Sequence, residues 1–476
     1  MVYIAGEWRE ASSGRRFESR NPATGELIDS VADGGPEEAA AAVDAAAEAF
    51  ESWSQLTAYQ RSEYLYRAYE LMLERHEPLA KLMTEEQGKP IRMARTEVRY
   101  AADFLLWYAE EAKRVYGETI PSARADQRFM VLHQPVGVVG AITPWNYPVS
   151  MITRKVGPAL AAGCTVVLKP AEQTPLCAVE TFRVLHDAGL PPGVVNLVTA
   201  SDPVPIGDAL LADRRVRKLA FTGSTEVGKL LAAGAARQMK RVSLELGGHA
   251  PFLVLEDADP VHAAKGAAAV KFLNTGQACI CPNRFFVHRD LAKPFVDTMR
   301  DRFANLKAGN GMTDGVTVGP LIDAAALDKM ERQVSDALSK GASLESGGQR
   351  LTADGLDAGC FFAPTLLTGV TPDMEIYREE TFGPVAPVIV FDDENDALAM
   401  ANDTEYGLAS YVYTKDLSRA FRVLERLRFG IVGVNDINPT SAAAPFGGMK
   451  ESGLGREGGR EGIAEYLDTK LVGFAI

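Results

Sequence analysis

Two short segments carry residue types that together can form and then hydrolyse a thioester. The first is Lys271-Phe-Leu-Asn-Thr-Gly-Gln-Ala-Cys-Ile-Cys-Pro-Asn-Arg284, in which Cys279 follows Asn274, Gly276 and Gln277 where an apolar helix over 263–272 runs out. A thiol at such a junction sits near unpaired backbone N–H groups, which favour the thiolate and can bind an oxyanion. The second is Leu244-Glu-Leu-Gly-Gly248, where Glu245 ends an alternating run from Val242 to Leu246 and two glycines follow. That places a carboxylate at the mouth of a sheet, where ligands collect in open α/β folds. A nucleophilic sulfur and a carboxylate able to activate water are the parts that thioester chemistry requires. Alone, a cysteine is most often a small buried hydrophobe and a strand-end glutamate a solvated edge. The pair acquires meaning only if other elements bring the two together.

Those elements are legible. From residue 138 onward, short β-branched runs at 138–142, 164–168, 194–198, 216–221 and 242–246 alternate with helical stretches at 181–188, 206–212 and 225–236. This rhythm predicts a parallel sheet covered on both faces. A second α/β unit follows, with strands expected at 251–255, 285–288, 385–391, 410–413 and 431–434. Upstream, residues 1–35 hold short runs and turn signals, and Pro36 with Glu37 and Glu38 opens a mostly helical region over 36–116. Residues 117–137, bounded by Pro121 and Pro135, predict a hairpin or arm of the kind that pairs with another subunit. Glycine-rich segments at 445–448 and 452–455 precede a short helix and an extended tail.

Two strand ends could hold a dinucleotide. In Phe221-Thr-Gly-Ser-Thr-Glu-Val-Gly228, Gly223 permits a tight turn and Ser224 can cap a helix whose N–H groups then face a phosphate. The segment lacks the G-x-G-x-x-G fingerprint. In Leu168-Lys-Pro-Ala-Glu172, Lys169 and Glu172 are placed to hydrogen-bond ribose hydroxyls, and a carboxylate there repels a 2′-phosphate, favouring NAD over NADP.

Composition narrows the class further. The chain has 476 residues, enough for two or three domains, and a net charge of −13 with no block of Lys and Arg. That balance argues against nucleic acid or an anionic membrane surface as partner. Five cysteines form a sparse, odd set that fits a reducing compartment, and no apolar run approaches the roughly 18 residues needed to span a bilayer. A cytoplasmic location is expected. The six histidines are scattered without ligand spacing, so no metal site is expected.

Taken in order, Thr143-Pro-Trp-Asn-Tyr-Pro148, Lys169-Pro-Ala-Glu172, Phe221–Gly228, Leu244–Gly248, Gly276-Gln-Ala-Cys279, Glu380-Thr-Phe-Gly-Pro384 and Pro445-Phe-Gly-Gly448 resemble the aldehyde dehydrogenase superfamily over essentially the whole chain. The resemblance implies a Rossmann-type NAD-binding domain over 1–116 and 138–246, a second α/β catalytic domain over 247–447, and a small β oligomerisation arm from 117–137 and 458–476. It implies Cys279 as nucleophile and Glu245 as general base. Asn146, with the Cys279 N–H, is implied as oxyanion hole. For NAD it implies Lys169 and Glu172 on the adenosine ribose and Ser224, after Gly223, on the pyrophosphate. Glu380 falls on the nicotinamide ribose, Phe382 beside the ring, and Thr143 and Trp145 along the adjacent cleft. A homodimer or homotetramer acting on a small aldehyde follows, with NADP a weaker fit.

Within the superfamily, Met151–Lys155, Cys279-x-Cys281 with Asn283-Arg284, and Ser452–Glu457 are most similar to succinate-semialdehyde dehydrogenases. In that group an arginine at the position of Arg154 helps bind the substrate carboxylate, a role suited to a forked guanidinium. A second such arginine is Leu273 here, and a serine of the substrate loop falls on Thr440 or Ser441. These departures leave open a broad-specificity enzyme for neutral aldehydes. Cys281 is a candidate disulfide partner for Cys279 under oxidation, against its reading as a small buried residue. A coenzyme A-acylating enzyme is the alternative that Glu245 weighs against, and a non-catalytic crystallin-like protein is the one that the complete motif set weighs against.

Overall fold

The computed structural model describes residues 1–476. Two hairpins come first, β1 (Val2–Ile4) with β2 (Glu7–Arg9) and β3 (Arg16–Arg20) with β4 (Leu27–Ala32). Four helices follow: α1 (Pro36–Trp53), α2 (Ala58–Glu74), α3 (His76–Gln87) and α4 (Ile91–Glu111). Helix α1 starts where its residues dictate. Pro36 has no N–H to satisfy in the first turn, and the Glu38 carboxylate accepts from the Gly35 N–H at 2.7 Å. Next come β5 (Glu118–Ile120) and β6 (Gln127–Pro135).

Residues 138–245 alternate as the β-branched runs predict: β7 (Val138–Ile142), α5 (Ser150–Ala162), β8 (Thr165–Lys169), α6 (Pro175–Asp187), β9 (Val195–Leu197), α7 (Val204–Ala212), β10 (Val216–Thr222), α8 (Thr225–Ala236) and β11 (Arg241–Glu245). The five strands pair in parallel in the order β11-β10-β7-β8-β9. The chain enters at β7, runs outward to β9, and returns to β10 on the other side of β7. Such a reversal opens a crevice at the carboxyl ends of β7 and β10. Every residue of α5 is buried, because this helix lies between α4 and the sheet.

The second unit contains β12 (Ala250–Val254), α9 (Pro260–Lys271), β13 (Pro282–His288), α10 (Arg289–Ala304), α11 (Ala324–Ser339), β14 (Ser343–Ser346), β15 (Thr365–Thr368), α12 (Glu375–Arg378), β16 (Val385–Phe391), α13 (Glu394–Asn402), β17 (Ala409–Tyr413), α14 (Leu417–Arg426) and β18 (Ile431–Val434). Its sheet runs β14-β15-β16-β13-β12-β17-β18, parallel except at β14. Strands β14 (Ser-Leu-Glu-Ser) and β15 (Thr-Leu-Leu-Thr) lie outside the expected strands, because neither has the run of β-branched apolar residues that marks β18 at the same length. Each sheet carries an apolar cluster on both faces.

The chain closes with β19 (Gly453–Leu454), α15 (Gly459–Ala464) and β20 (Leu467–Ala475). The first sheet reaches eight strands because β19 pairs with β11 at one edge and the β1–β2 hairpin joins β9 at the other. Strand β20 lies antiparallel along β6 from Leu467–Pro135 to Ala475–Gln127, with β5 beyond. The arm expected over 458–476 therefore begins only at Leu467, since α15 packs against α4 and α5. No helix is long and apolar enough to cross a membrane.

Candidate active site

Beyond α9 the backbone turns left-handed at three successive residues, Asn274 (φ 48°), Thr275 (φ 60°) and Gly276 (φ 83°). That conformation is costly for a β-branched threonine and persists only where neighbours impose it. Here they do. The Thr275 hydroxyl donates to Gly319 O and accepts from Gly319 N–H, and the Gln277 side-chain amide donates to Pro320 O and accepts from Ile322 N–H. A Cβ on Gly276 would lie 2.2 Å from Gly383 O. In the resulting loop the N–H groups of Ala278, Cys279 and Ile280 donate to no atom of the chain, as the junction with α9 predicted. Cys279 lies in the wall of a cavity of about 480 Å³, with Tyr147, Arg154, Leu273, Thr440 and Phe446.

Asn146 sits in the loop after β7, 4% exposed, and its side-chain N–H donates to Gln277 O at 3.1 Å. One hydrogen of that amide is left for another acceptor. The Asn146 backbone carbonyl accepts from Asn274 Nδ2 at 2.9 Å and from Lys89 Nζ at 2.7 Å. Lys89 is in turn paired with Glu97, both wholly buried, and the Glu97 carboxylate accepts from the Val149 and Ser150 N–H groups. Burial lowers the Lys89 pKa while Glu97 opposes it. Sequence reading missed this clamp: Lys89 follows a helix-ending glycine, and Glu97 looks like any acid on an amphipathic helix.

Glu245 ends β11, and Gly247 and Gly248 carry the chain across to the thiol. A Cβ on Gly248 would meet Cys279 O at 2.3 Å, and one on Gly247 would meet Glu380 Oε2 at 2.9 Å. Only a glycine pair lets this turn pass between the cysteine loop and Glu380, whose Oε1 accepts from Gly248 N–H at 2.9 Å. Burial raises the Glu245 pKa well above the carboxylate range; Glu457 adds to the rise, and Arg154 and Lys155 oppose it. One Glu245 oxygen is buried with no hydrogen bond. Burial also pushes the Cys279 thiol up to about 12 against the pull of Arg154, and Glu380 up to about 7. The thiol and Glu245 therefore lie within electrostatic reach of each other, beside a shared guanidinium.

Arg154 lines the cavity, but its charge is already engaged. Its Nε lies 2.7 Å from Glu457 Oε2, the other Glu457 oxygen accepts from Lys155, and Lys155 also donates to Thr222 Oγ1. The guanidinium carbon stands 4.1 Å from the Phe446 ring centroid. Leu273 lines the same cavity, as does Thr440, whereas Ser441 is exposed outside it. Cys281 is wholly buried, its thiol donating to Val270 O at 3.3 Å, and both cysteines are free thiols.

The residues singled out for a dinucleotide gather at the crevice. Thr143 N–H donates to Lys169 O, joining the ends of β7 and β8, and Gly223 N–H donates to Glu245 O, joining the turn after β10 to the end of β11. Ser224 caps α8 by accepting from Val227 N–H. Trp145 and Phe382 stack edge to face, 5.6 Å between centroids, with Phe382 held at φ 53°. Lys169 Nζ lies 2.8 Å from Glu172 Oε2, so the carboxylate meant to repel a 2′-phosphate is partly neutralised. A helix N-terminus, a lysine and two carboxylates at one crevice fit a nicotinamide dinucleotide.

Fold and site together define an α/β oxidoreductase with a thiol at the seam between two largely parallel sheets. The aldehyde dehydrogenase family model matches residues 8–472. The chain belongs to that family. It is 50% identical over 472 residues to a glutarate-semialdehyde dehydrogenase of Pseudomonas putida and to the NADP(+) succinate-semialdehyde dehydrogenase of Escherichia coli, covering 99% of this chain and 97% of each relative. Against the crystal structure of a succinate-semialdehyde dehydrogenase from Burkholderia pseudomallei the TM-score is 0.98, at 48% identity, covering 100% of this chain and 98% of that one.

Proposed function

We propose that the protein oxidises a small aldehyde bearing a carboxylate, a semialdehyde such as succinate or glutarate semialdehyde, to the dicarboxylic acid. The observation that carries the mechanism is the Cys279 loop, where a thiol in the cavity wall adjoins free N–H groups and the glycine turn from Glu245. The Cys279 thiolate adds to the aldehyde carbon. The oxyanion so formed is held by the free hydrogen of the Asn146 amide and the Cys279 N–H, in a loop that Lys89 keeps from moving. Ser224, Lys169, Glu172 and Glu380 would hold a nicotinamide dinucleotide, which would supply the acceptor for the hydride lost from the former aldehyde carbon. Glu245 then takes a proton from water, the hydroxide attacks the acyl carbon, and the Cys279 sulfur leaves.

NAD is favoured over NADP by Glu172, although Lys169 weakens that preference. Residues 1–116 and 138–246 would form the cofactor domain and 247–447 the catalytic one. The exposed apolar residues Ile120, Met130, Leu471 and Phe474 on the β20-β6-β5 sheet support assembly into a homodimer or homotetramer. A second reading, a neutral-aldehyde dehydrogenase, draws on Leu273 and on the engagement of Arg154 by Glu457. Measuring kcat/KM for both semialdehydes and for butanal and pentanal, with NAD and NADP, separates the two. Preference for the neutral aldehydes sinks the semialdehyde reading, and turnover that requires coenzyme A sinks the hydrolytic route.

A further inference from the structure

Three charged side chains line the Cys279 cavity: Arg92, Glu97 and Arg154. Two of them are spoken for inside the fold. Glu97 is paired with Lys89 and accepts from two backbone N–H groups, and Arg154 is ion-paired with Glu457, which Lys155 also contacts, although the buried Arg154 Nη2 has no hydrogen-bond partner. Arg92 differs. It lies in the first turn of α4, is exposed, and its guanidinium makes no ion pair or hydrogen bond with the chain. At helical spacing from Arg92, Thr96 and Tyr100 line the same cavity, so one face of α4 forms a continuous wall ending at this cation. On the opposite chain segment the cavity presents Leu273, which offers no charge.

We propose that Arg92 is the residue that reads the far-end anion of the substrate, taking the carboxylate of a semialdehyde whose aldehyde carbon rests against Cys279. The inference rests on the semialdehyde reading above and names the group that enforces it. An unengaged guanidinium binds a carboxylate through two parallel N–H bonds, whereas Arg154 must share its charge with an internal carboxylate. Because Arg92 is exposed, its contribution is moderate and screened by salt.

The test compares wild type, Arg92→Ala and Arg92→Lys by the ratio of kcat/KM for succinate or glutarate semialdehyde to that for butanal or pentanal. Arg92→Ala is expected to lower the ratio about tenfold, mostly through KM, and Arg92→Lys to recover part of it. The wild-type ratio should fall as ionic strength rises, and that salt dependence should vanish in Arg92→Ala. A wild type that prefers semialdehydes together with an Arg92→Ala variant of unchanged ratio overturns the proposal and leaves the semialdehyde reading standing. Equal losses on charged and neutral aldehydes, with unaltered thermal midpoint, overturn it as well. A wild type that favours neutral aldehydes removes the reading on which it rests.

Discussion

At the scale of single residues, the site is built from groups whose burial works against their charged forms, so pH reports on them directly. A thiol pushed up to about 12 is protonated at neutral pH. Its thiolate fraction should therefore rise about tenfold per pH unit, and inactivation by iodoacetamide should follow the same slope between about pH 7 and 9. A plateau below pH 8 would show that Arg154 outweighs burial. Glu245 responds to pH in the same sense. An acid whose pKa is raised keeps its proton at higher pH, so its base form accumulates as pH rises. Where the water-activating step limits kcat, the rate should climb with pH and level off, and Glu245→Gln should cut kcat and flatten that limb while cofactor binding persists. Cys279→Ala should abolish production of reduced cofactor. Asn146→Ala should lower kcat about a hundredfold or more with little change in melting temperature.

At the scale of elements, two devices hold the chemistry in place. The left-handed run at 274–276 has no room for a side chain at its last position, with Gly383 O 2.2 Å from a Cβ and φ at 83°. Gly276→Ala should abolish turnover and lower the melting temperature, as a thermal scan would show. The other device is the Lys89–Glu97 pair. Lys89→Met leaves Glu97 buried and uncompensated, a loss on the order of 3–5 kcal/mol by precedent for broken buried pairs, and removes one of the two donors to the Asn146 carbonyl. Urea unfolding should move its midpoint accordingly, and kcat should fall in parallel. Replacing both members, Lys89→Met with Glu97→Gln, should restore stability more than activity.

At the scale of the whole molecule, β20 crosses from the C-terminus to lie along β6 for nine paired positions, leaving apolar side chains such as Leu471 and Phe474 exposed. Truncation after Glu465 removes this strand and exposes the edge of β6. Analytical ultracentrifugation should then show a smaller or aggregating species, and an unchanged distribution would end the assembly role assigned to the arm.

The parallel strands at 138–246, the α1 start and the chemistry-bearing types at 146, 245 and 279 were all legible along the chain, because β-branched periodicity, proline placement and short motifs are local properties. The hairpin strands β1 and β2 and the four-residue β14 and β15 were not, since their pairing energy comes from a sheet assembled from distant residues. The same limit governed charge. Sequence shows that Arg92, Lys89, Glu97, Arg154 and Glu457 are ionisable, but not which pairs close in the interior. Only the tertiary structure commits Arg154 to Glu457 and Lys89 to Glu97, and leaves Arg92 unengaged, because an ion's role depends on its through-space partner and its distance from water.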